Sequence, residues 1–556
     1  MRVLKSLLLT TCFALGAHEA NAAQATAGNC PSLVNVAFAS TTISSATLVN
    51  SGTIKTPGGV ANITKPFCRV QAVSRPTPDS EILFEVWLPP TAEAWNKRMN
   101  TEATGGFLGG IPVARLAQML ETGFAAVGTN LGHDGGESAT WALGHPEKVN
   151  DYAWRSHYYV ANTAKAVIAA FYGQPAKKAY FNGCSGGGRQ GQMMAQRYPD
   201  LYDGIIVGAP TMFYSDDILS IIWHGINHRD PEKFEMIIPE SKLPMITADV
   251  LSICDAKDGL KDGEITDPRA CTYDAKRLLC KGADAPNCLT QQQVDIVNAT
   301  HRGLHRGGSP ITPGPSIGSE FLWRQTASLG MQGGYGDFIG HYVYNQKDFN
   351  WRKIDFEKDY DTIKNKLDPI MAASSPDLQR FKARGGKIIQ YHGWNDPARL
   401  DETKAKFTPR EIADLVLGEN GVSDYYRVFM LPGMAHCTGG SGPININQQP
   451  TAQSPSTSPD VDVVSALVRW VEDGVAPEQI IATQYKEGDA SKGIQRQRPL
   501  CAYPKAAKYK GSGDINDAKN FTCVPRSRAF VTPGEADMAQ IRNALKWRGQ
   551  LTPAAP

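Results

Sequence analysis

The chain has 556 residues, of which 42% are hydrophobic, 20% charged and 9% aromatic, so intrinsic disorder is excluded as its main state. Lys and Arg total 57 against 55 Asp and Glu. The formal charge of +2 gives no basic field that would attract nucleic acid or an anionic membrane, so we expect neither as a partner. The 53 glycines and 36 prolines indicate a loop-rich globular protein.

The first 22 residues have the pattern of an export signal. Arg2 and Lys5 precede a short apolar run, and a small-residue cleavage site ends at Ala22. The apolar run is too short to span a bilayer. A lipoprotein signal at Cys12 is the alternative, but Thr11 is bulkier than that processing site usually accepts. We therefore expect a signal peptide over residues 1–22 and a secreted or periplasmic protein.

Ten cysteines follow the signal, an even number that predicts five disulfide bonds in an oxidising compartment. Ten cysteines allow roughly a thousand pairings, so the sequence leaves the connectivity open. Zinc ligation is an alternative, but paired Cys-x-x-Cys spacing is absent. Pairing over short loops favours four bonds and leaves two cysteines over. These bonds are Cys30–Cys68, Cys254–Cys271, Cys280–Cys288 and Cys501–Cys523, and the remaining cysteines are Cys184 and Cys437.

Strand-like and helix-like segments alternate along the first part of the chain. Apolar runs predict strands at 82–90, 123–130, 178–182 and 201–210. Helical spacing of apolar residues predicts helices at 151–172 and 190–198, with a tight turn at 183–188. Such alternation predicts an α/β fold with a mostly parallel sheet covered by helices.

The alternation lapses between residues 211 and 373 and then resumes. The lapse holds four cysteines, an Asp/Gly cluster and many aromatic residues, most of which we expect to form a local apolar core. Arg324 is interpreted as a surface arginine, the alternative being a contact to an acidic substrate group. Helices are then expected at 377–383, 409–417 and 461–473, strands at 387–392 and 426–432, and a polar loop at 448–458. We expect residues 211–373 to be a lid inserted into a core formed by 23–210 and 374–556.

A G-x-S-x-G motif, Gly183-Cys184-Ser185-Gly186-Gly187, falls between a predicted strand and a predicted helix. That context is required of a nucleophile elbow, a sharp turn that holds the serine Oγ clear above the sheet. The motif makes Ser185 a candidate nucleophile and the N–H of Gly186 a candidate oxyanion donor. The alternative is a glycine-rich turn with an idle serine.

Candidates for the acid and the base follow the serine in the order that this kind of site requires. Asp396 lies in the loop after the strand predicted at 387–392, and His436 lies in the loop after the strand at 426–432. His392 and Asp401 are rivals, although His392 is more simply explained as a structural residue at a strand end.

The two cysteines that short-loop pairing leaves over adjoin these candidates. Cys184 precedes Ser185 and Cys437 follows His436, so a bond between the cysteines would tie the serine loop to the histidine loop.

A second chemical signal lies in the expected lid, where Asp255-Ala256-Lys257-Asp258-Gly259-Leu260-Lys261-Asp262-Gly263-Glu264 places carboxylates close together between glycines. Oxygen donors at short spacing suit a hard cation such as Ca²⁺, although the spacing is not that of an EF-hand. A solvated acidic turn is the alternative.

The residues Gly183-Cys184-Ser185-Gly186-Gly187-Gly188-Arg189, then Asp396, then His436-Cys437, resemble the CS-D-HC pattern of the tannase and feruloyl esterase family. The family also contains mono(2-hydroxyethyl) terephthalate hydrolases. The resemblance implies an α/β-hydrolase core with a large inserted lid. It assigns the nucleophile to Ser185, the orienting acid to Asp396 and the general base to His436.

The same resemblance extends to binding residues. The loop at 100–110 is similar to the family's glycine-rich loop, so Gly105 or Gly106 would give the second oxyanion N–H. The family's calcium loop implies a structural Ca²⁺ held by the side chains of Asp255, Asp258 and Asp262 and the carbonyls of Leu260 and Glu264. No organic cofactor is expected.

These inferences predict a secreted serine esterase that cleaves small esters of aromatic, phenolic acids, free or attached to plant polysaccharide or polyphenol. Feruloyl esters are the first expectation and galloyl esters the second. A terephthalate monoester is the third, because hydrolases of that kind carry an acidic residue where Gly186 stands. A non-catalytic binding protein on the same scaffold and a serine peptidase of the same fold are alternatives.

Overall fold

Runs of buried apolar residues build a mixed sheet of nine strands. The structure is a computed structural model that describes residues 27–136, 138–329, 334–375, 377–397, 422–448 and 457–525. The described strands, in this sheet and in four separate two-stranded hairpins, are β1 Thr41–Val49, β2 Gly52–Thr56, β3 Gly59–Ile63, β4 Phe67–Ser74, β5 Ile82–Leu88, β6 Arg98–Glu102, β7 Ala125–Thr129, β8 Lys178–Cys184, β9 Gly204–Gly208, β10 His305–Arg306, β11 Ser309–Pro310, β12 Lys387–Gly393, β13 Tyr426–Leu431, β14 Gln479–Tyr485, β15 Ile494–Cys501, β16 Lys505–Tyr509 and β17 Phe521–Pro525. The order in the large sheet is β1-β4-β5-β7-β6-β8-β9-β12-β13.

The sheet is parallel from β7 through β13, and the pairs β1–β4, β4–β5 and β5–β7 are antiparallel. The α/β class and the mostly parallel sheet are therefore confirmed. The expected strands at 82–90, 123–130, 178–182, 201–210, 387–392 and 426–432 are all present, with ends shifted by a few residues. Strands β1, β4 and β6 were not predicted; β1 and β4, together with β5, form the antiparallel side.

Helices cover both faces of the sheet. They are α1 Val113–Glu121, α2 Pro146–Asn150, α3 Ser156–Tyr172, α4 Gly186–Arg197, α5 Tyr214–Asn227, α6 Leu243–Cys254, α7 Gln291–Arg302, α8 Trp323–Leu329, α9 Tyr335–Phe338, α10 Tyr360–Met371, α11 Gln379–Ala383 and α12 Val463–Asp473. One apolar cluster joins α3 and α4 to one face of the sheet, and another joins α1 and α12 to the opposite face. No helix in these ranges is both long and apolar enough to cross a membrane.

The helix after Ser185 begins earlier than predicted. We expected a turn over 183–188 and a helix from 190, but α4 begins at Gly186. Three glycines in its first turn make a weak helix signal, because glycine loses more backbone entropy than other residues on helix formation. The turn is reduced to Ser185 alone, which places the serine directly at the helix N-terminus.

The segment between β9 and β12 adds no strand to the large sheet in its described part. It contains α5 to α11, the small hairpin β10–β11 and two apolar clusters of its own. A third cluster is shared with the part of the chain before β8, through residues such as Phe107, Leu131 and Tyr152. Several of its aromatic side chains are buried there, as expected: Trp323, Tyr335, Phe338, Tyr342 and Trp351. The interruption falls where the alternation of strands and helices lapses in the sequence.

Some predictions fall outside the described residues. They are the signal peptide, the helix at 409–417 and most of the polar loop at 448–458. After α12, two hairpins that the sequence analysis did not assign, β14–β15 and β16–β17, follow one another along the chain.

Candidate active site

Ser185 stands between the end of β8 and the start of α4 in a strained conformation, with φ +63° and ψ −124°. A non-glycine residue with positive φ is uncommon and is held in place only by the surrounding structure. Here the Ser185 N–H donates to the Gly208 carbonyl over 2.9 Å. A Cβ on Gly188 would lie 2.3 Å from the same carbonyl oxygen, so only glycine fits there. The geometry is that of the predicted nucleophile elbow.

Asp396 and His436 meet at the carboxyl ends of neighbouring parallel strands. Asp396 lies in the loop after β12 and His436 in the loop after β13, and His436 Nδ1 is 2.7 Å from Asp396 Oδ2. The two loops are also joined through their backbones, since the Trp394 N–H donates to the Leu431 carbonyl and the Asn395 N–H donates to the Met434 carbonyl. The acid and the imidazole are therefore held together by the sheet edge itself.

Two imidazoles face the Asp396 carboxylate, which is fully buried. His436 is the nearer, and Nε2 of the buried His392 lies 3.3 Å from the same Oδ2. Burial alone would raise the pKa of Asp396, but the adjacent His436 and His392 outweigh burial and hold that pKa far below its ordinary value. Asp396 is therefore ionised and able to orient an imidazole N–H.

The disulfide between Cys184 and Cys437 links the serine loop to the histidine loop, with 6.0 Å between the two Cα atoms. Cys437 Sγ lies 3.7 Å from His436 Nε2, the ring nitrogen that points away from Asp396. The free edge of the imidazole thus faces the cross-link that leads to Ser185. The other four predicted pairs, Cys30–Cys68, Cys254–Cys271, Cys280–Cys288 and Cys501–Cys523, are also present, so the pairing inferred from loop lengths is confirmed.

The glycine loop after β6 lies against the serine. A Cβ on Gly105 would be 3.1 Å from Ser185 Cβ and 3.5 Å from its Oγ. A Cβ on Gly186 would be 3.4 Å from the Gly106 nitrogen. Gly105 therefore adjoins Ser185, and Gly106 adjoins Gly186, the residue that follows the serine.

Tyr152 also contacts this loop, since its hydroxyl donates to the Gly106 carbonyl over 2.7 Å. Tyr152 was not predicted from the sequence, because no local pattern connects residues 46 positions apart.

The rival residues are placed differently. His392 faces Asp396 from the end of β12 and, unlike His436, has no cysteine next to it in the chain. Asp401 lies outside the described residues. Arg324 has a largely exposed side chain that pairs with Glu240, in agreement with its interpretation as a surface arginine.

The acidic loop after α6 is stabilised by its own hydrogen bonds. Asp255 accepts the N–H groups of Asp262 and Gly263, and Asp262 also pairs with Arg498. Burial, with the charges of Asp262 and Asp255 adding to it, raises the pKa of Glu264 to about 7.

The pKa of Asp258 is raised by the same causes, burial first and then the charges of Asp262 and Asp255. Among the described residues, no three His, Cys, Asp or Glu side chains are gathered closely enough to hold a metal. Carboxylate oxygens are nevertheless the type of ligand that a hard cation prefers, and a cation would relieve the repulsion between these neighbouring negative charges.

The sequence matches the family described as "Tannase and feruloyl esterase" over residues 68–524. An uncharacterised esterase of Xanthomonas campestris pv. campestris is 34% identical over 579 residues, covering 98% of this chain and 99% of its own length. A probable feruloyl esterase B-1 of Aspergillus flavus is 30% identical over 466 residues, covering 83% and 87% of the two chains.

Solved structures give the same result for the fold. The crystal structure of feruloyl esterase B from Aspergillus oryzae is similar with a TM-score of 0.82 and 28% identity, covering 89% of this chain and 99% of that one. Tannin acyl hydrolase from Aspergillus niger shares the fold with a TM-score of 0.67 at 20% identity, covering 93% and 96% of the two chains. The chain therefore belongs to the tannase and feruloyl esterase family, and it is a carboxylic ester hydrolase.

Proposed function

We propose that this protein hydrolyses esters of aromatic, phenolic acids, of the feruloyl type, through a triad of Ser185, His436 and Asp396. The observation that carries the proposal is the Cys184–Cys437 bond, which joins the residue before the strained serine to the residue after the imidazole. The 2.7 Å contact between His436 and Asp396 supplies the orienting acid that such an imidazole needs.

The reaction follows from these positions. His436 Nε2 accepts the proton of the Ser185 hydroxyl while Oγ attacks the ester carbonyl. The N–H groups of Gly186 and Gly106 receive the oxyanion, and Gly106 is chosen over Gly105 because its nitrogen lies beside Gly186.

Collapse of the tetrahedral intermediate breaks the bond to the alcohol, which leaves with the proton from His436. The aromatic acid is now esterified to Ser185. Water, losing a proton to His436, attacks that ester and releases the acid, and the proton returns to Ser185 Oγ. Asp396 stays ionised throughout and holds the imidazole in the required tautomer.

The proposed substrate class is based on the relatives that are named feruloyl esterases. It is tested by comparing the hydrolysis of three esters. We expect the highest kcat/KM on methyl ferulate, a lower value on methyl gallate and the lowest on mono(2-hydroxyethyl) terephthalate. Ser185→Ala should abolish all three activities. A higher kcat/KM on either of the other esters would overturn the feruloyl assignment, and full activity of Ser185→Ala would overturn the triad. Peptide amides in the same assay test the peptidase alternative.

The acidic loop is proposed to bind one structural Ca²⁺ through Asp255, Asp258 and Asp262, with the carbonyls of Leu260 and Glu264. Support comes from the oxygen donors at short spacing along the loop. The three carboxylates are not gathered closely enough to hold a metal in the described structure, so binding requires them to draw together around the ion. A chelator should lower the melting temperature more than the initial rate, and Ca²⁺ but not Mg²⁺ should restore it. A melting temperature that the chelator leaves unchanged would contradict calcium binding.

The segment 211–373 is proposed to act as a lid over the serine, and residues 1–22 are proposed to direct export to the periplasm or the medium. Five disulfides are consistent with an oxidising compartment. N-terminal sequencing of the protein from its native compartment should read from Ala23. A cytoplasmic protein that retains Met1 would contradict export.

A further inference from the structure

We propose that Tyr152 is a positioning residue for ester hydrolysis, because its hydroxyl fixes the glycine loop that supplies the second oxyanion donor. The inference deepens the proposed function and rests on the roles given there to Ser185, Gly106 and Gly186.

The hydroxyl of Tyr152 bonds to one glycine of the proposed oxyanion hole and lies near the other. It donates to the Gly106 carbonyl over 2.7 Å, and it lies 3.5 Å from the position that a Cβ on Gly186 would take. Gly106 has φ +55°, in a loop where glycine has wide conformational freedom. A hydrogen bond to its carbonyl restricts that freedom and sets the direction of the neighbouring N–H groups. Tyr152 is therefore placed to keep the Gly106 N–H aligned with the Gly186 N–H.

The tyrosine itself is held rigidly. It lies in a π-helical turn at Asp151–Arg155, a feature that is rare and often found at functional sites. Its side chain is buried, and its ring packs against Phe107 and Trp141 at centroid distances of 5.7 Å and 5.3 Å. Because the ring cannot move freely, the position of the hydroxyl is set by the fold.

A buried arginine connects this turn to the serine. The Arg189 guanidinium lies 5.4 Å from the centroid of the Tyr152 ring, and its Nη1 donates to the Ala153 carbonyl over 3.0 Å. The Arg189 backbone N–H donates to the Ser185 carbonyl over 3.0 Å. The turn that carries Tyr152 and the helix that follows Ser185 are thus fastened together, so Tyr152 sets the distance between the glycine loop and the serine.

Removing the hydroxyl should weaken binding of the transition state more than binding of the ester. The oxyanion forms only during reaction, so a misaligned donor lowers kcat and leaves KM nearly unchanged. Loss of one neutral hydrogen bond corresponds to about a tenfold fall in kcat.

Tyr152→Phe tests the inference, with Tyr172→Phe as a matched control. The Tyr172 hydroxyl also donates to a backbone carbonyl, that of Pro89, over 2.7 Å, and its ring stacks on Trp95 in the core. Rates are measured on methyl ferulate per serine titrated with a phosphonate, so unfolded protein does not enter them. The affinity for an aryl boronic acid, which forms a tetrahedral adduct with a serine, is measured alongside.

We expect Tyr152→Phe to lower kcat about tenfold and to weaken boronate binding by a similar factor, with KM within twofold of wild type. Tyr172→Phe should leave all three unchanged. If both variants behave alike while Ser185→Ala is inactive, Tyr152 has no positioning role and the proposed function stands. If Ser185→Ala remains active, the proposed function itself fails.

Discussion

The Cys184–Cys437 bond is the cross-link whose removal we expect to harm both stability and catalysis. It joins residues 253 positions apart, whereas Cys280–Cys288 joins residues 8 apart. In the chain-entropy treatment these separations correspond to at most about 5.5 and about 2.5 kcal/mol of stabilisation. Replacing Cys184 and Cys437 by alanine should therefore lower the free energy of unfolding about twice as much as replacing Cys280 and Cys288 by alanine.

The two double variants should differ more sharply in activity. Cys184 and Cys437 adjoin the proposed nucleophile and base, and a displacement of about 1 Å between such groups costs roughly 10²-fold in rate. We expect kcat/KM to fall by about that factor for the first variant. The second variant should retain wild-type kcat/KM, because Cys280 and Cys288 belong to a small loop between α6 and α7.

The assay pairs urea unfolding, followed by tryptophan fluorescence, with kcat/KM on methyl ferulate at a temperature where both variants are folded. A folded variant that lacks the Cys184–Cys437 bond and keeps full kcat/KM would refute the linking role. An equal loss of activity in both variants would show that lowered stability alone is responsible.

Three further changes have expected outcomes. Asp396→Asn should lower kcat on methyl ferulate by roughly 10³- to 10⁴-fold, because the imidazole loses its orienting carboxylate, and an unchanged kcat would exclude Asp396 from the triad. Arg115→Met should lower the free energy of unfolding, measured by urea titration, by about 3–5 kcal/mol, because it leaves the Glu102 carboxylate buried without its cationic partner. Adding Glu102→Gln should recover part of that loss. Burial lowers the pKa of His157 to about 4, so the unfolded chain, with an ordinary pKa of 6.5, binds a proton that the folded chain does not. The contribution of the neutral His157 to the free energy of unfolding is then complete above pH 6.5 and is lost as the pH drops toward 4. Over that interval the melting temperature of His157→Asn should fall less steeply than that of the wild-type protein.

The central strands and the candidate triad could be predicted because their signals are local. Strands β8, β9 and β12 are buried on both faces and read as short apolar runs in the sequence. Ser185 and His436 each adjoin a cysteine, so counting cysteines and reading the elbow motif led to the same pair of loops.

The features that were missed depend on partners far along the chain. Strand β6 carries Asn100, Thr101 and Glu102, which are buried although polar. Glu102 is tolerated there because Arg115, 13 positions later, pairs with it at 2.9 Å. Tyr152 reaches Gly106 only through the packing of a π-helical turn, for which the sequence has no recognised pattern.

The role of Ser185 as the nucleophile is tested most directly by the site at which a serine-directed phosphonate reacts. The purified protein is treated with an aryl phosphonate, digested and mapped by mass spectrometry, with His436→Ala treated in parallel. We expect a single adduct on Ser185 in the wild-type protein and very slow labelling of the variant, since Ser185 would lack its base. An adduct on another residue, or equally fast labelling of His436→Ala, would contradict a nucleophile activated across the disulfide-linked loops.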